Sequence, residues 1–240
     1  MTNSEEIIGT LKSLANPENV AGMAHFGINP HNTLGVSIPA LRQIARKVGK
    51  DHSLAEELWV SGIHEARILA ALVDDPKQVR EEQMERWVSD FDSWDVCDQV
   101  CSNLFDRTPL GFQKAREWST RKDEFVKRAG FVLMACLAVH DKKAGNEPFE
   151  ACFPLILQEA GDERNFVKKA INWALRGIGK RNRQLNQKAI QTAQQMQLND
   201  SKSARWIASD ALRELTSEAV QARLAVKELQ HNSGSDLALP

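Results

Sequence analysis

The sequence predicts an all-α fold in which helices stack as repeats, an α-solenoid. Three observations carry this. Apolar residues recur three and four apart along much of the chain. Alternating strand patterns are scarce. Similar helices return at intervals of a few tens of residues.

The elements follow in chain order. NPEN (16–19) and GINPHNTLG (27–35) hold turn and cap residues and mark the first breaks. EARILAALV (65–73) has helical apolar spacing, and VDDP (73–76) ends it. SWDVCDQVCSNL (93–104) predicts a helix starting at Trp94, with Ser93 as its N-cap accepting from an early backbone N–H. Asp95 near that start suits the helix dipole. FVKRAGFVLMACLAV (125–139), FVKKAINWALRGIG (166–179) and SARWIASDALREL (203–215) are the strongest later helices, the last preceded by the break LNDS (198–201). Each helix places a basic residue early: Arg67, Arg128, Lys169 and Arg205. The first of these intervals halves if WDVCDQVCSNL supplies a unit. Helix pairs of the HEAT kind recur at about 40 residues. One such unit cannot bury its apolar face alone, and stacking creates the shared core. No linker interrupts the series, so one HEAT-like domain is expected over residues 1–230. HNSGSDLALP (231–240) has little helical pattern and is expected to be a disordered tail.

Composition narrows the function. No apolar run reaches membrane-spanning length. MTNSEEIIGT is acidic and has no signal-peptide core, which leads to the expectation of a cytoplasmic protein with no membrane partner. Cys97, Cys101, Cys136 and Cys152 form no CxxC pair, so neither a disulfide framework nor a metal site is expected. Phosphate-loop, nucleophile-elbow and zinc-protease motifs do not occur. No cofactor is expected.

Charge is segregated. Residues 51–100 hold 13 Asp/Glu against 4 Lys/Arg, so the rest of the chain is net positive. Residues 162–183 hold 7 Lys/Arg against 2 acids, and residues 42–50 add 4 cations and no acid. Such segregation can make an electrostatic footprint for phosphates.

Chemistry is concentrated on three helices. Trp94 and Asp98 are four apart and share a helix face. Arg128 follows Phe125, and Trp173 lies between Lys169 and Arg176. Stacked repeats would align an aromatic, acidic and basic strip. The same residues also admit a structural reading, with tryptophans in the core and Asp98 paired to Arg128.

At these residues the chain resembles the HEAT-like DNA alkylation-repair glycosylases, the AlkD-like family. The resemblance runs over roughly residues 5–225. It rests on LGVSIPALRQIAR (34–46), SWDVCDQV (93–100), EFVKRAGFVLM (124–134), NFVKKAINWALRGIGKRN (165–182) and ALREL (211–215). It implies a curved α-solenoid holding duplex DNA on a concave basic face, and a monomer. It implies excision of N3- and N7-alkylated purines in base excision repair. By motif, Trp94 and Trp173 would flank the lesion's deoxyribose, Asp98 would be the catalytic carboxylate, and Arg128 would hold a backbone phosphate. Phe166 and Arg176 would edge the site, with Lys169, Lys180 and Arg181 as further DNA contacts. The chain has no Tyr, so a family site aromatic of that type is replaced here. Two alternatives use the same fold: a non-catalytic DNA-binding HEAT protein and a protein-interaction scaffold.

Overall fold

A computed structural model describes the backbone of residues 3–235 and the side chains of 3–229. Among these residues the secondary structure is helical, with no strand. The helices are α1 (Ser4–Ser13), α2 (Pro17–His25), α3 (Ile38–Val48), α4 (His52–Val60), α5 (His64–Val73), α6 (Glu81–Ser89) and α7 (Trp94–Asn103). They continue as α8 (Gly111–Ser119), α9 (Glu124–His140), α10 (Glu147–Glu150), α11 (Cys152–Glu159), α12 (Asn165–Gly179), α13 (Arg183–Gln197), α14 (Lys202–Leu215) and α15 (Glu218–Ser235). No helix among the described residues is long and apolar enough to cross a membrane.

Local chemistry sets these boundaries. Asn16, Ser37, Asp51, Asn182 and Ser201 each cap a helix, a side-chain oxygen accepting from an early backbone N–H. Pro17 stands in the first turn of α2, where its missing N–H has no helical partner. α3 stops at Gly49, whose φ of 80° an L side chain would strain. α15 runs to Ser235, into the stretch expected to be a tail. Residues 236–240 lie outside the described ones.

The described residues form two compact units, divided after Gly111. In the first, α5 packs on α3, α4 and α7. Its core is aromatic. Trp59 and Trp87 stack with centroids 4.0 Å apart and planes at 4°. Such a pair contributes roughly 0.5–1.5 kcal/mol beyond its area burial. The Trp59 indole N–H is satisfied by Asp90 Oδ2 at 2.8 Å. In the second unit, α12 packs on α9, α13 and α14. Gly130 lets α9 approach the end of α8, since a Cβ there would lie 2.3 Å from the Ser119 nitrogen. A recurring offset links consecutive inner helices. Arg128 on α9 reaches Phe166 on α12, Asn172 on α12 reaches Asp210 on α14, and Arg176 reaches Glu214. Each offset is 38 residues, close to the HEAT period of about 40.

Candidate functional site

α7 begins where the sequence predicts, but its start is held differently. Ser93 occupies the N-cap position with extended backbone, yet its hydroxyl makes no cap bond. It donates instead to Asp95 Oδ1 at 2.6 Å. The other carboxylate oxygen of Asp95 lies 2.8 Å from His64 Nε2, in the first turn of α5. In place of a cap, Ser93 thus joins a side-chain clasp between two helices.

The clasp perturbs both groups. Burial alone would lower the pKa of His64. The hydrogen bond and charge of Asp95, with Glu65 and Asp92 nearby, outweigh this and raise it. Burial alone would raise Asp95. The His64 hydrogen bond and charge, the Ser93 hydroxyl and the Val96 N–H bring it below the ordinary carboxylate value.

With its start clamped, α7 turns Val96, Cys97, Val100 and Cys101 into the core. Both cysteines are fully buried, as a packing role requires. Trp94 and Asp98 border that face and are half-buried. The Trp94 indole N–H donates to the Phe26 carbonyl at 3.1 Å. Its orientation therefore depends on the loop 26–36, which Glu65, Asp92 and His64 help to fix. Glu65, only 1% exposed, accepts from the backbone N–H groups of Leu34, Gly35 and Val36 at 2.9, 2.6 and 3.2 Å. Asn29 donates to Asp92 at 2.8 Å, and the Asn32 carbonyl accepts from the His64 N–H at 3.0 Å. Gly35 is required where it stands: φ is 77°, and a Cβ would meet the Asn16 carbonyl oxygen at 2.3 Å.

In the second unit, α12 carries most of the remaining candidates. Its buried face is Val167, Ala170, Ile171, Ala174, Leu175 and Ile178. Phe166, Lys169, Trp173, Arg176 and Lys180 follow the complementary three-and-four spacing, and all five keep some solvent exposure. Phe166 stacks on Phe125 with centroids 5.8 Å apart. Its carbonyl accepts from Arg128 Nη1 at 2.6 Å. Arg128 itself is only 6% exposed.

The cations on this stripe differ. Lys169 is exposed. Arg176 is paired with Asp210 at 3.1 Å and Glu214 at 2.7 Å, and Lys180 with Glu214 at 2.6 Å. Burial would raise the pKa of Glu214, but Lys180 and Arg176 bring it below its ordinary value. Arg181 lies off the stripe. It donates to the carbonyls of Ala138 and Ala144 and sits 4.3 Å over the Phe149 ring. The cationic stretch 162–183 is thus largely engaged inside its own unit.

Tryptophan exposure divides the six residues informatively. Trp59, Trp87 and Trp118 are core, and Trp206 is exposed. Trp94 and Trp173 are the half-exposed pair.

Sequence reading missed the His64–Asp95 clasp, the Glu65 anchor and the Asp210–Glu214 pair. Each had a signal. His64 and Glu65 are polar residues at the head of a helix whose remaining residues are apolar except Arg67. Asp210 and Glu214 repeat the i,i+4 spacing of Arg176 and Lys180 one repeat later. Among the described residues, no group of three His, Cys, Asp or Glu is arranged to hold a metal.

Comparison with known proteins agrees with this architecture. An uncharacterized protein, Lin0241, from Listeria innocua serovar 6a is 24% identical over 198 residues, 80% of this chain and 86% of its own length. A solved structure from a family of proteins related to the HEAT-like repeat DNA glycosylases, with affinity for branched DNA structures, superposes with a TM-score of 0.75. It is 19% identical and covers 93% of this chain and 96% of its own, so the likeness is one of fold. The fold is therefore all-α, of HEAT-like helical repeats. The sequence model of the DNA alkylation repair enzymes matches residues 7–215, and the chain belongs to that family.

Proposed function

We propose that the protein is a DNA glycosylase that removes positively charged N3- and N7-alkylated purines from duplex DNA, in base excision repair. The observation that carries this reading is the Trp94–Asp98 pair. An indole and a carboxylate lie one turn apart on α7, both half-exposed, while the clasp at its first turn fixes that helix.

The chemistry fits those two groups. An N3- or N7-alkylated purine carries positive charge, so it departs without a general acid. As the glycosidic bond breaks, its electron pair goes to the base and neutralises it. The sugar gains oxocarbenium character. Asp98 stabilises that charge and orients water, which adds to the anomeric carbon and gives up its proton to the carboxylate. The indole faces of Trp94 and Trp173 attract the cationic sugar. Arg128 is the proposed phosphate ligand, with Phe166 and Lys169 beside it. Arg176, Lys180 and Arg181 would act only by exchanging their internal partners for phosphates. Attack from the sugar side leaves the base stacked, unlike enzymes that extrude it. Action as a cytoplasmic monomer belongs to the same proposal.

The test is release of 7-methylguanine or 3-methyladenine from methylated duplex DNA, with Asp98→Asn as control. Release above that control supports the reading, and equal release by both proteins removes it.

A second reading is non-catalytic binding of distorted DNA. Its support is the affinity for branched DNA attributed to the superposed structure's family. It predicts salt-sensitive binding of junctions in preference to linear duplex, with no base release.

A further inference from the structure

The cations of residues 42–50 lie outside the proposed excision site. Arg42, Ala45 and Arg46 on α3, Gly49 and Lys50 just beyond it, and Leu72 on α5 line an open cleft of about 280 Å³. We propose that this cleft is a second binding site, for the sugar–phosphate backbone of duplex DNA, read without regard to sequence.

Four features argue for that ligand. The rim is cationic and its lining holds no carboxylate. Arg42 and Arg46 are exposed and have no ion pair or side-chain hydrogen bond among the described residues. This sets them apart from Arg176 and Lys180, which acids of α14 already hold. Arg42 and Arg46 are one helical turn apart, a rise of about 6 Å, so two planar guanidiniums present their donors side by side to neighbouring phosphates. The floor is apolar, from Ala45 and Leu72, and suits the C–H face of a deoxyribose.

Lys50 completes the rim as a fixed charge. Its Nζ donates to the carbonyls of Leu72 at 3.1 Å and Asp74 at 2.6 Å, at the end of α5. Burial first, then the charge of Arg107, lowers its pKa, while Asp74 and Asp75 oppose them. Asp74 is fully buried, with its carboxylate held by His52 and Gln83, so it does not compete at the rim.

The inference rests on the reading that the protein binds DNA and is independent of base excision. The experiment measures binding of an unmodified duplex over a salt series. It compares wild type, Arg42→Ala/Arg46→Ala and Arg42→Lys/Arg46→Lys, with base release from methylated duplex followed in parallel. Each lost phosphate contact removes about 0.9 from the log–log salt slope. The double alanine variant should therefore bind more weakly, with a slope shallower by about 2, and the double lysine variant should keep most of it. Both side chains are exposed, so the thermal midpoint should not move. Wild-type affinity and slope in the double alanine variant would overturn the proposal. So would unchanged DNA binding with lost binding to phosphatidylserine vesicles, which would assign the cleft to a lipid surface. A slope change without base release by wild type would remove the excision reading and leave the cleft. Base release with an unchanged slope would do the reverse.

Discussion

His64 and Asp95 touch at 2.8 Å across the first turns of α5 and α7, one residue from Trp94. The proposed reactive face of α7 is thus positioned by a largely buried polar contact at the helix's first turn.

That contact makes stability depend on pH from both ends. His64 is held above its unfolded pKa. Its contribution is complete below about pH 6.5 and fades as pH rises through the higher folded value. Asp95 is held below its unfolded pKa. Its contribution is present above about pH 3.9 and fades as pH falls through the lower folded value. Asp95→Asn should therefore destabilise by about 2 kcal/mol between those limits. Urea unfolding across pH should show this gap narrowing on the alkaline side of the His64 transition. A gap that stays constant to pH 9 would contradict the charged clasp.

Asp98→Asn should separate from Asp95→Asn. The first lowers single-turnover excision by roughly 100-fold or more and leaves the thermal midpoint and duplex affinity near wild type. The second lowers the midpoint. If Asp98→Asn instead melts early with full activity, its carboxylate is structural.

Glu65→Gln keeps the shape but loses the charge that gathers three backbone N–H groups. A loss of about 2–3 kcal/mol is expected, a fall of roughly 5–10 °C in Tm at this chain length. Faster hydrogen exchange at residues 34–36 would place the damage in the loop that receives the Trp94 indole. Unchanged exchange there would break the proposed link.

Gly130→Ala tests the approach of α9 to α8. The new methyl would lie within 3 Å of Ser119 and Trp118 backbone atoms, which cannot rotate away. Destabilisation at the upper end of overpacking, about 3 kcal/mol, should appear in chemical denaturation. Gly22→Ala, with open space around the added carbon, is the control and should be near neutral or stabilising.

Much of the fold was legible because helical periodicity and cap residues are local. EARILAALV, VKRAGFVLMAC and AINWALRGIG coincide with α5, α9 and α12, and Ser201 caps α14 as the break LNDS suggested. The half-exposure of Trp94 and Trp173 was not legible from spacing, which allowed both in the core: Trp94 lies three and seven residues from the buried Cys97 and Cys101, on the same side of α7. What spacing could not reveal was partnership over 30 residues or more. Ser93 looks like a cap until His64 is known to lie beside Asp95. The cations of 162–183 look like a DNA footprint until Asp210 and Glu214 are found against them. Sequence separation hides such pairs, because the repeat offset that joins them appears only after the helices stack.

The carboxylates of α14 have one more consequence. Asp210 and Glu214 act as resident counter-ions for Arg176 and Lys180. A cation kept by an acid of its own chain neutralises no phosphate and so frees no counterion from the DNA. The salt sensitivity of this protein's DNA binding should therefore count its unpaired cations and fall well short of the number of basic residues near the DNA.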